Sequence, residues 1–500
     1  MKILFVVKTI DFIDPQGIML LSALAKGKGH ETFLCILTRE SVVNMINDIK
    51  PDVIAYSAST GEHKYYVDIN PEIKKRFPSI FTIFGGPHIT FYPNSLEEGN
   101  FDAVCKGEGE GAWLDVLEAL EKGQPVDDIQ NIITRKKVNE MRPLIEDLTT
   151  LPFPDRDLFY EKTEMGNFAI KSFMTSRGCP YPCTYCFNHS IKKMYKGLGK
   201  FIRRVSVDYA FAEIKSVTDK YPLQFIKFYD DIFAYPKDKW LEEFADRYPK
   251  EIGIPFHCAT RANLADQRMV NTLKRAGIHS VNMSIEAGNP ELRNEILKRQ
   301  MDNKDIIQAF QLFHAAGVKI FSNSILGLPK SKIHHDIETL DLNIACKADF
   351  AEFPILHPYP KTELGEYCIQ EGIFDPDYSS MHMSYQNKSP LNCFTEEEKN
   401  QQKNLSLLAP LALWFPVTRN LIVNRLIYWK PNTLFFWVYL LVKTYMIKVK
   451  IYPFKLRKGE FIRLCKKAFR VDHFKHNDEL TAQQENEPAP LAEKIKKIKV

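Results

Sequence analysis

Short apolar runs and amphipathic stretches alternate through the first 120 residues. Runs at 2–7, 31–37, 52–57, 80–84 and 101–105 have strand length, and segments such as 17–28 and 111–122 between them carry apolar residues at helical spacing. This alternation predicts a doubly wound, flavodoxin-like parallel sheet with helices on both faces. The pattern resumes with strand-like runs at 168–176, 223–231, 255–261, 280–288, 318–329 and 351–360. Between the two halves lies a stretch without long apolar periodicity that holds Pro125, Pro143, Pro152 and Pro154, and it reads as a connector. The expected organisation is an α/β domain over 1–140, a linker over 141–165, a second α/β domain over 166–370, a mainly helical region over 371–474 and a polar, disordered tail over 475–500.

In doubly wound sheets ligands sit beyond the carboxyl ends of the strands. Those ends carry Ser57-Ala58-Ser59-Thr60, Gly85-Gly86-Pro87-His88 and Gly107-Glu108-Gly109-Glu110-Gly111, small and polar residues that a close ligand requires. Ordinary turns of an α/β domain are the competing reading. His88 and His189 each read equally as structural histidines.

Composition adds compartment and charge. The apolar fraction of 45% and charged fraction of 26% are those of a folded protein. The ten cysteines lack the density and pairing of a secreted disulfide scaffold, and the opening apolar run is too brief for a signal peptide, so a reducing cytoplasm is expected. The net charge of +5 is uneven: residues 401–470 hold fourteen Lys and Arg against one acid, Glu460, a balance of +13 that leaves the remainder at −8. Within that segment the apolar runs 405–417 and 434–442 are too short to cross a bilayer, which takes about twenty residues. Trp414, Trp429 and Trp437 lie among Arg419, Arg425, Lys430, Lys443, Lys448 and Lys450, a mixture that describes a segment lying peripherally on an anionic inner membrane face. A core-packed helical cap is the alternative, and so much Leu, Ile and Phe argues against nucleic acid.

The most specific signal is Cys179-Pro180-Tyr181-Pro182-Cys183-Thr184-Tyr185-Cys186. Three soft thiolates in one loop can hold three irons of a 4Fe-4S cluster and leave the fourth open to a small molecule. A zinc knuckle wants a fourth ligand, for which His189 is the nearby candidate.

This Cys-x3-Cys-x2-Cys pattern, with Tyr185 before its last cysteine and a strand-like run leading in, resembles the radical S-adenosylmethionine (SAM) superfamily. The resemblance implies a 4Fe-4S cluster on Cys179, Cys183 and Cys186 whose open iron chelates SAM, a radical that abstracts hydrogen from substrate, a flavodoxin or ferredoxin as electron donor, and a partial (β/α)6 barrel with active groups at the C-terminal strand ends. It assigns to SAM Tyr185, the Asp230-Asp231 pair, Arg261, Glu286 and Gly327. Each has a plainer alternative: a helix cap for either aspartate, a rim ion pair for Arg261 and Glu286. Tyr359, at the end of the sixth strand, is a weak catalytic candidate against simple packing.

The first 155 residues, with Asp14-Pro15-Gln16-Gly17, the three strand-end loops and Leu151-Pro152-Phe153-Pro154-Asp155-Arg156, are similar to the cobalamin-binding domain that fronts many such enzymes. Ser57, Thr60, Gly85, Gly86, His88, Gly107 and Glu108 are then the cobalamin contacts. The Asp-x-His-x-x-Gly signature is missing, so cobalamin is expected without a protein imidazole ligand, or the domain is degenerate. The function expected is cobalamin-dependent methylation of an unactivated carbon on a hydrophobic or lipid-like substrate. The alternatives are a non-methylating radical step, such as oxidative cyclisation or carbon–carbon bond formation, an RNA methylthio-transferase and a zinc-stabilised interaction module.

Overall fold

The computed structural model describes residues 1–10, 13–381 and 384–454. The tail expected over 475–500, and the end of the helical region beyond 454, lie outside the described residues.

Strands β1 (Lys2–Val7), β2 (Glu31–Ile36), β3 (Val53–Ser57), β4 (Phe81–Gly85) and β5 (Ala103–Cys105) form a parallel sheet in the order 2-1-3-4-5, closed by an antiparallel β6 (Ile132–Ile133). That is the flavodoxin-like winding the apolar pattern predicts. Successive residues of β1 serve opposite cores. Ile3, Phe5 and Val7 pack towards the helices Gln16–Gly27 and Glu110–Glu121, whereas Leu4 and Val6 pack towards Val42–Ile49 and His63–Arg76. β6 falls in the Pro-rich connector, where two residues leave no readable period.

The second sheet runs β14-β13-β12-β11-β10-β7, all parallel, with β7 at Ile170–Phe173, β10 at Phe225–Phe228, β11 at Phe256–Thr260, β12 at Ile278–Met283, β13 at Lys319–Asn323 and β14 at Phe350–Glu352. Its edges β7 and β14 do not pair, so the barrel is partial. The intervening helices Val207–Thr218, Lys239–Glu251, Gln267–Ala276 and Asn303–Ala315 start where Ser206, Asp238, Asp266 and Asp302 accept the backbone N–H three residues on. Between β7 and β10 a short antiparallel ribbon, β8 (Ser176–Arg177) with β9 (Arg203–Arg204), carries the chain into the cysteine loop.

The run expected over 405–417 to touch a membrane is mostly core. Leu405, Leu407, Leu408, Ala409 and Ala412, on the helix Glu396–Trp414, are buried against the barrel, and Ser406 donates to the Phe353 carbonyl at 2.6 Å. The helix Thr433–Met446 packs on that helix, and Val442 and Met446 join Ile451 and Tyr452 against Phe225 and Phe350 of the sheet. Lys443 pairs with Glu352 of β14 at 2.7 Å. No helix among the described residues is long and apolar enough to cross a membrane.

Candidate active site

The cysteine loop begins at Gly178, whose φ of +94° is left-handed and whose added Cβ would lie 2.5 Å from the Phe201 carbonyl oxygen, so no other residue fits. Cys183 is buried, Cys179 and Cys186 half-buried, and the Cys186 N–H returns to the Cys183 carbonyl at 3.2 Å as the helix Phe187–Met194 starts. Burial pushes the Cys179 and Cys186 thiols up, the latter to about 12, so thiolates here need a bound cation. Among the described residues, the metal-ligating atoms that close within 4.8 Å of one another belong to His334, His335 and Glu338 on the surface, not to the three cysteines. A single tetrahedral zinc, with sulfurs at about 2.3 Å, needs a tighter set. His189, the fourth zinc candidate, is drawn to Glu363 at 3.3 Å.

The Asp230-Asp231 pair divides. Asp230 is buried and accepts from the Thr175 N–H at 3.1 Å, from Thr175 Oγ1 at 2.8 Å and from Ser176 Oγ, so it fixes the strand that leads to the cysteines and is not open to SAM. Asp231 is exposed and accepts from the Gly178 N–H at 3.0 Å and Asn188 Nδ2 at 2.7 Å, which sets it against the loop.

Glu286 sits at a φ of +66° with its carboxylate 2.8 Å from the Tyr185 hydroxyl and 3.6 Å from Arg299 Nη1, and burial pushes its carboxyl up. Arg299 also donates to the Tyr185 hydroxyl at 3.1 Å and to the Ser284 carbonyl at 2.7 Å. Arg261 donates to the Arg299 carbonyl and lies 3.7 Å over the Tyr181 ring. Buried donors remain on both guanidinium groups, Nε and Nη1 of Arg261 and Nε of Arg299, with no protein acceptor. Unsatisfied buried donors of this kind fit an anionic group brought from outside, and the planar fork suits a carboxylate. Arg299 was not found by sequence reasoning, because it sits between Lys298 and Gln300, both in left-handed conformation, in an irregular loop that carries no motif.

Two other expectations change. Gly327 has a φ of +67°, but the space beside it belongs to Gln402 of the helix Glu396–Trp414, whose Oε1 lies 3.0 Å from where a Cβ would stand. Tyr359 donates to the Tyr385 hydroxyl at 2.8 Å and its ring lies 5.0 Å from Phe187, which makes it packing beside the loop.

A cavity of about 370 Å³ opens between the two domains, where the strand ends of the first meet β8 and the barrel. Ser57, Gly85, Gly86, Gly107 and Glu108 line it from one side, and Leu148, Leu151, Met174, Arg177 and Tyr209 from the other. Gly86, with a φ of +96°, packs so closely on the first loop that a Cβ would lie 2.7 Å from Ser57 Oγ. Thr60 and His88 are not in the lining. They bond each other at 3.0 Å behind the loops, with the fully buried His88 stacked on His63 at 3.6 Å. Burial pushes His88 down to about 3, so it is a neutral structural imidazole and not a cobalamin contact. Glu108 lines the cavity but its carboxylate is spent on Arg203 at 2.6 Å and Arg177 at 3.1 Å; burial raises its carboxyl, and the two arginines outweigh this and hold it below the usual range. Among the described residues no histidine lines the cavity, while Gln16 Nε2 and Glu110 Oε2 are buried in it without a hydrogen-bond partner. Apolar walls with a free amide N–H and one free carboxylate oxygen, its partner oxygen held by Arg177 at 2.6 Å, fit a corrin, whose rim carries amides.

Sequence comparison identifies the two halves. Residues 173–342 match the model of the radical SAM superfamily and residues 4–117 that of the B12 binding domain. The chain is a radical SAM enzyme fronted by a B12-binding domain. It is 27% identical over 344 residues to an uncharacterized methyltransferase, PH0819, of Pyrococcus horikoshii, a match that covers 67% of this chain and 73% of the relative. It is 24% identical to the hopanoid C-3 methylase of Methylococcus capsulatus, over 63% of this chain and 61% of that protein. Among solved structures its fold is similar to the radical SAM methyltransferase TsrM from Kitasatospora setae with cobalamin and a [4Fe-4S] cluster bound, with a TM-score of 0.64 at 16% identity over 83% of this chain and 89% of that one. The radical SAM domain implies a 4Fe-4S cluster and SAM, and the B12-binding domain implies cobalamin.

Proposed function

We propose that this radical SAM enzyme moves a methyl group from SAM, by way of cobalamin, to a carbon of a hydrophobic, lipid-like substrate met at a membrane surface. When bound, the cluster supplies the electron that splits SAM and cobalamin supplies the carrier for the methyl group. In this reading Cys179, Cys183 and Cys186 hold the cluster. Arg261 and Arg299 take the SAM carboxylate on the donors that no protein group uses, Asp231 takes its ammonium, and Glu286, steadied by Tyr185, takes the ribose hydroxyls. Ser57, Gly85, Gly86 and Gly107 let the corrin approach the strand ends, and Leu148, Leu151 and Met174 keep water from the cavity. A flavodoxin or ferredoxin delivers the electron.

The observation that carries the proposal is a shared wall. Met174, Ser176 and Arg177 line the cavity, and Cys179 follows two residues later, so the two cofactor sites adjoin along one strand end. The likeness to a hopanoid methylase supports the substrate class. The test is turnover of anaerobically reconstituted protein with hydroxocobalamin, methyl-labelled SAM and a lipid extract. Label in an extracted lipid is the expected result; SAM cleavage without label in any product overturns methylation and leaves a non-methylating radical step.

A further inference from the structure

The helix Thr433–Met446 is apolar on both faces. Its inner face, with Phe435, Tyr439, Leu440, Val442 and Met446, is buried on the barrel. Its outer face presents Leu434, Trp437, Leu441 and Tyr445, each between 43% and 65% exposed, at the spacing of one helical stripe. The helix has one charged residue, Lys443, and that ammonium is committed inward to Glu352 at 2.7 Å. Surface helices of soluble proteins are polar outside, so a helix apolar all round calls for a second cover.

The stripe continues into the preceding segment. Of the fifteen exposed large apolar side chains among the described residues, ten lie between Phe415 and Val449. Trp414 stacks on Tyr445 at 4.9 Å and lies tilted 4.3 Å from Phe415 at one end of the helix, and Trp429 lies 6.2 Å from Phe435 at the other. The chain segment that carries this patch has charge of one sign, and Asp341 from the barrel meets it at Arg419. Residues 401–454 contain seven Lys and Arg and no acid, and Arg425 and Lys430 are exposed beside Tyr428 and Trp429.

We propose that the outer face of the helix Thr433–Met446, with Tyr428 and Trp429, docks on an anionic lipid bilayer. Exposed aromatic and aliphatic side chains enter the interface while Arg425 and Lys430 meet lipid phosphates. A second copy of the chain is the poorer occupant, since pairing the patch with itself brings Arg425 and Lys430 of two copies together. The helix is about 21 Å long and lies in the interface without spanning it. The same helix packs on the helix Glu396–Trp414 and reaches β14 through Glu352, so a docked bilayer lies beside the barrel. This inference deepens the proposed substrate class but requires no turnover, so its failure and the failure of methylation are separately visible.

The test is sedimentation of the full chain with vesicles of phosphatidylcholine containing about a third phosphatidylglycerol, against phosphatidylcholine alone, with tryptophan fluorescence recorded in parallel. Expected are at least fivefold stronger binding to the anionic vesicles, a blue shift on binding, and at least a tenfold loss in Leu441→Asp and Trp437→Ser with unchanged melting curves. Arg425→Glu with Lys430→Glu should abolish the preference for anionic lipid. Absence of binding, equal binding to both vesicles, or full binding by Leu441→Asp overturns the proposal; the last result would assign lipid contact to residues 455–500. A concentration-dependent dimer that Leu441→Asp disperses, without vesicle binding, would overturn it in favour of a second copy.

Discussion

Asp14, in the loop after the first strand of the B12-binding domain, accepts the backbone N–H of Ser172, in the first strand of the barrel, at 2.6 Å. Its other oxygen accepts from the Tyr160 hydroxyl at 2.6 Å, and Arg156, 3.6 Å away, reaches on to Glu213 at 2.8 Å. All these side chains are buried. The loop that in related domains carries an axial histidine is here tied to the neighbouring domain by a carboxylate.

Replacing Asp14 by Ala strands the Ser172 amide and the Tyr160 hydroxyl and leaves Arg156 with Glu213 as its one carboxylate. A loss of about 3 kcal/mol in stability is expected, read as a lowered denaturation midpoint under anaerobic conditions.

Arg261→Lys and Arg299→Lys keep the charge and lose the fork. Each removes a charge-assisted contact worth about 1.5–3 kcal/mol, so SAM affinity of the cluster-loaded protein should fall by about ten- to a hundredfold in equilibrium dialysis, with iron content unchanged for Arg261→Lys. Unaltered SAM affinity in both variants would remove these arginines from the binding site.

Gly86→Ala places a methyl group against Ser57 and the Ala58 backbone at a left-handed φ. A cost of about 2 kcal/mol or more is expected, together with loss of the visible spectrum of bound cobalamin while the cluster's broad absorption survives.

His63 and His88 predict acid sensitivity. Burial holds both imidazoles neutral, pushed down to about 4 and about 3, against about 6.5 in an unfolded chain. The unfolded state therefore binds more protons below pH 6.5, and stability is lost as pH falls from 6.5 towards 4, by up to about 1.4 kcal/mol per pH unit for each histidine. His88→Asn should flatten this slope in denaturant melts taken across that range.

Both sheets were legible because strands buried on two faces print continuous apolar runs closed by glycine or a polar loop, as at Ile83-Phe84-Gly85-Gly86. The cysteine loop was legible because chemistry fixes its spacing. What sequence could not give is direction. Gly85-Gly86-Pro87-His88 ends a strand as predicted, but the left-handed turn at Gly86 sends the backbone to the cavity and His88 behind it. Asp230 and Asp231 are neighbours that a strand end points to opposite sides, one inward to Thr175 and one to the loop. The apolar runs of the C-terminal region looked alike, although 405–417 is largely core and the helix Thr433–Met446 divides between core and surface. Arg299 could be found only by folding, since its partners Tyr185 and Ser284 are brought to it from two other segments.

The interdomain cavity takes its glycine-lined side from the first 120 residues and its opposite side from the connector and barrel. Recombination that exchanged the front domain at the connector would deliver half a mould, and a grafted partner would have to match the surface around Leu148, Met174 and Tyr209 before a corrin could seat. The two halves are therefore bound to diverge as one unit, each change on one wall answered on the other.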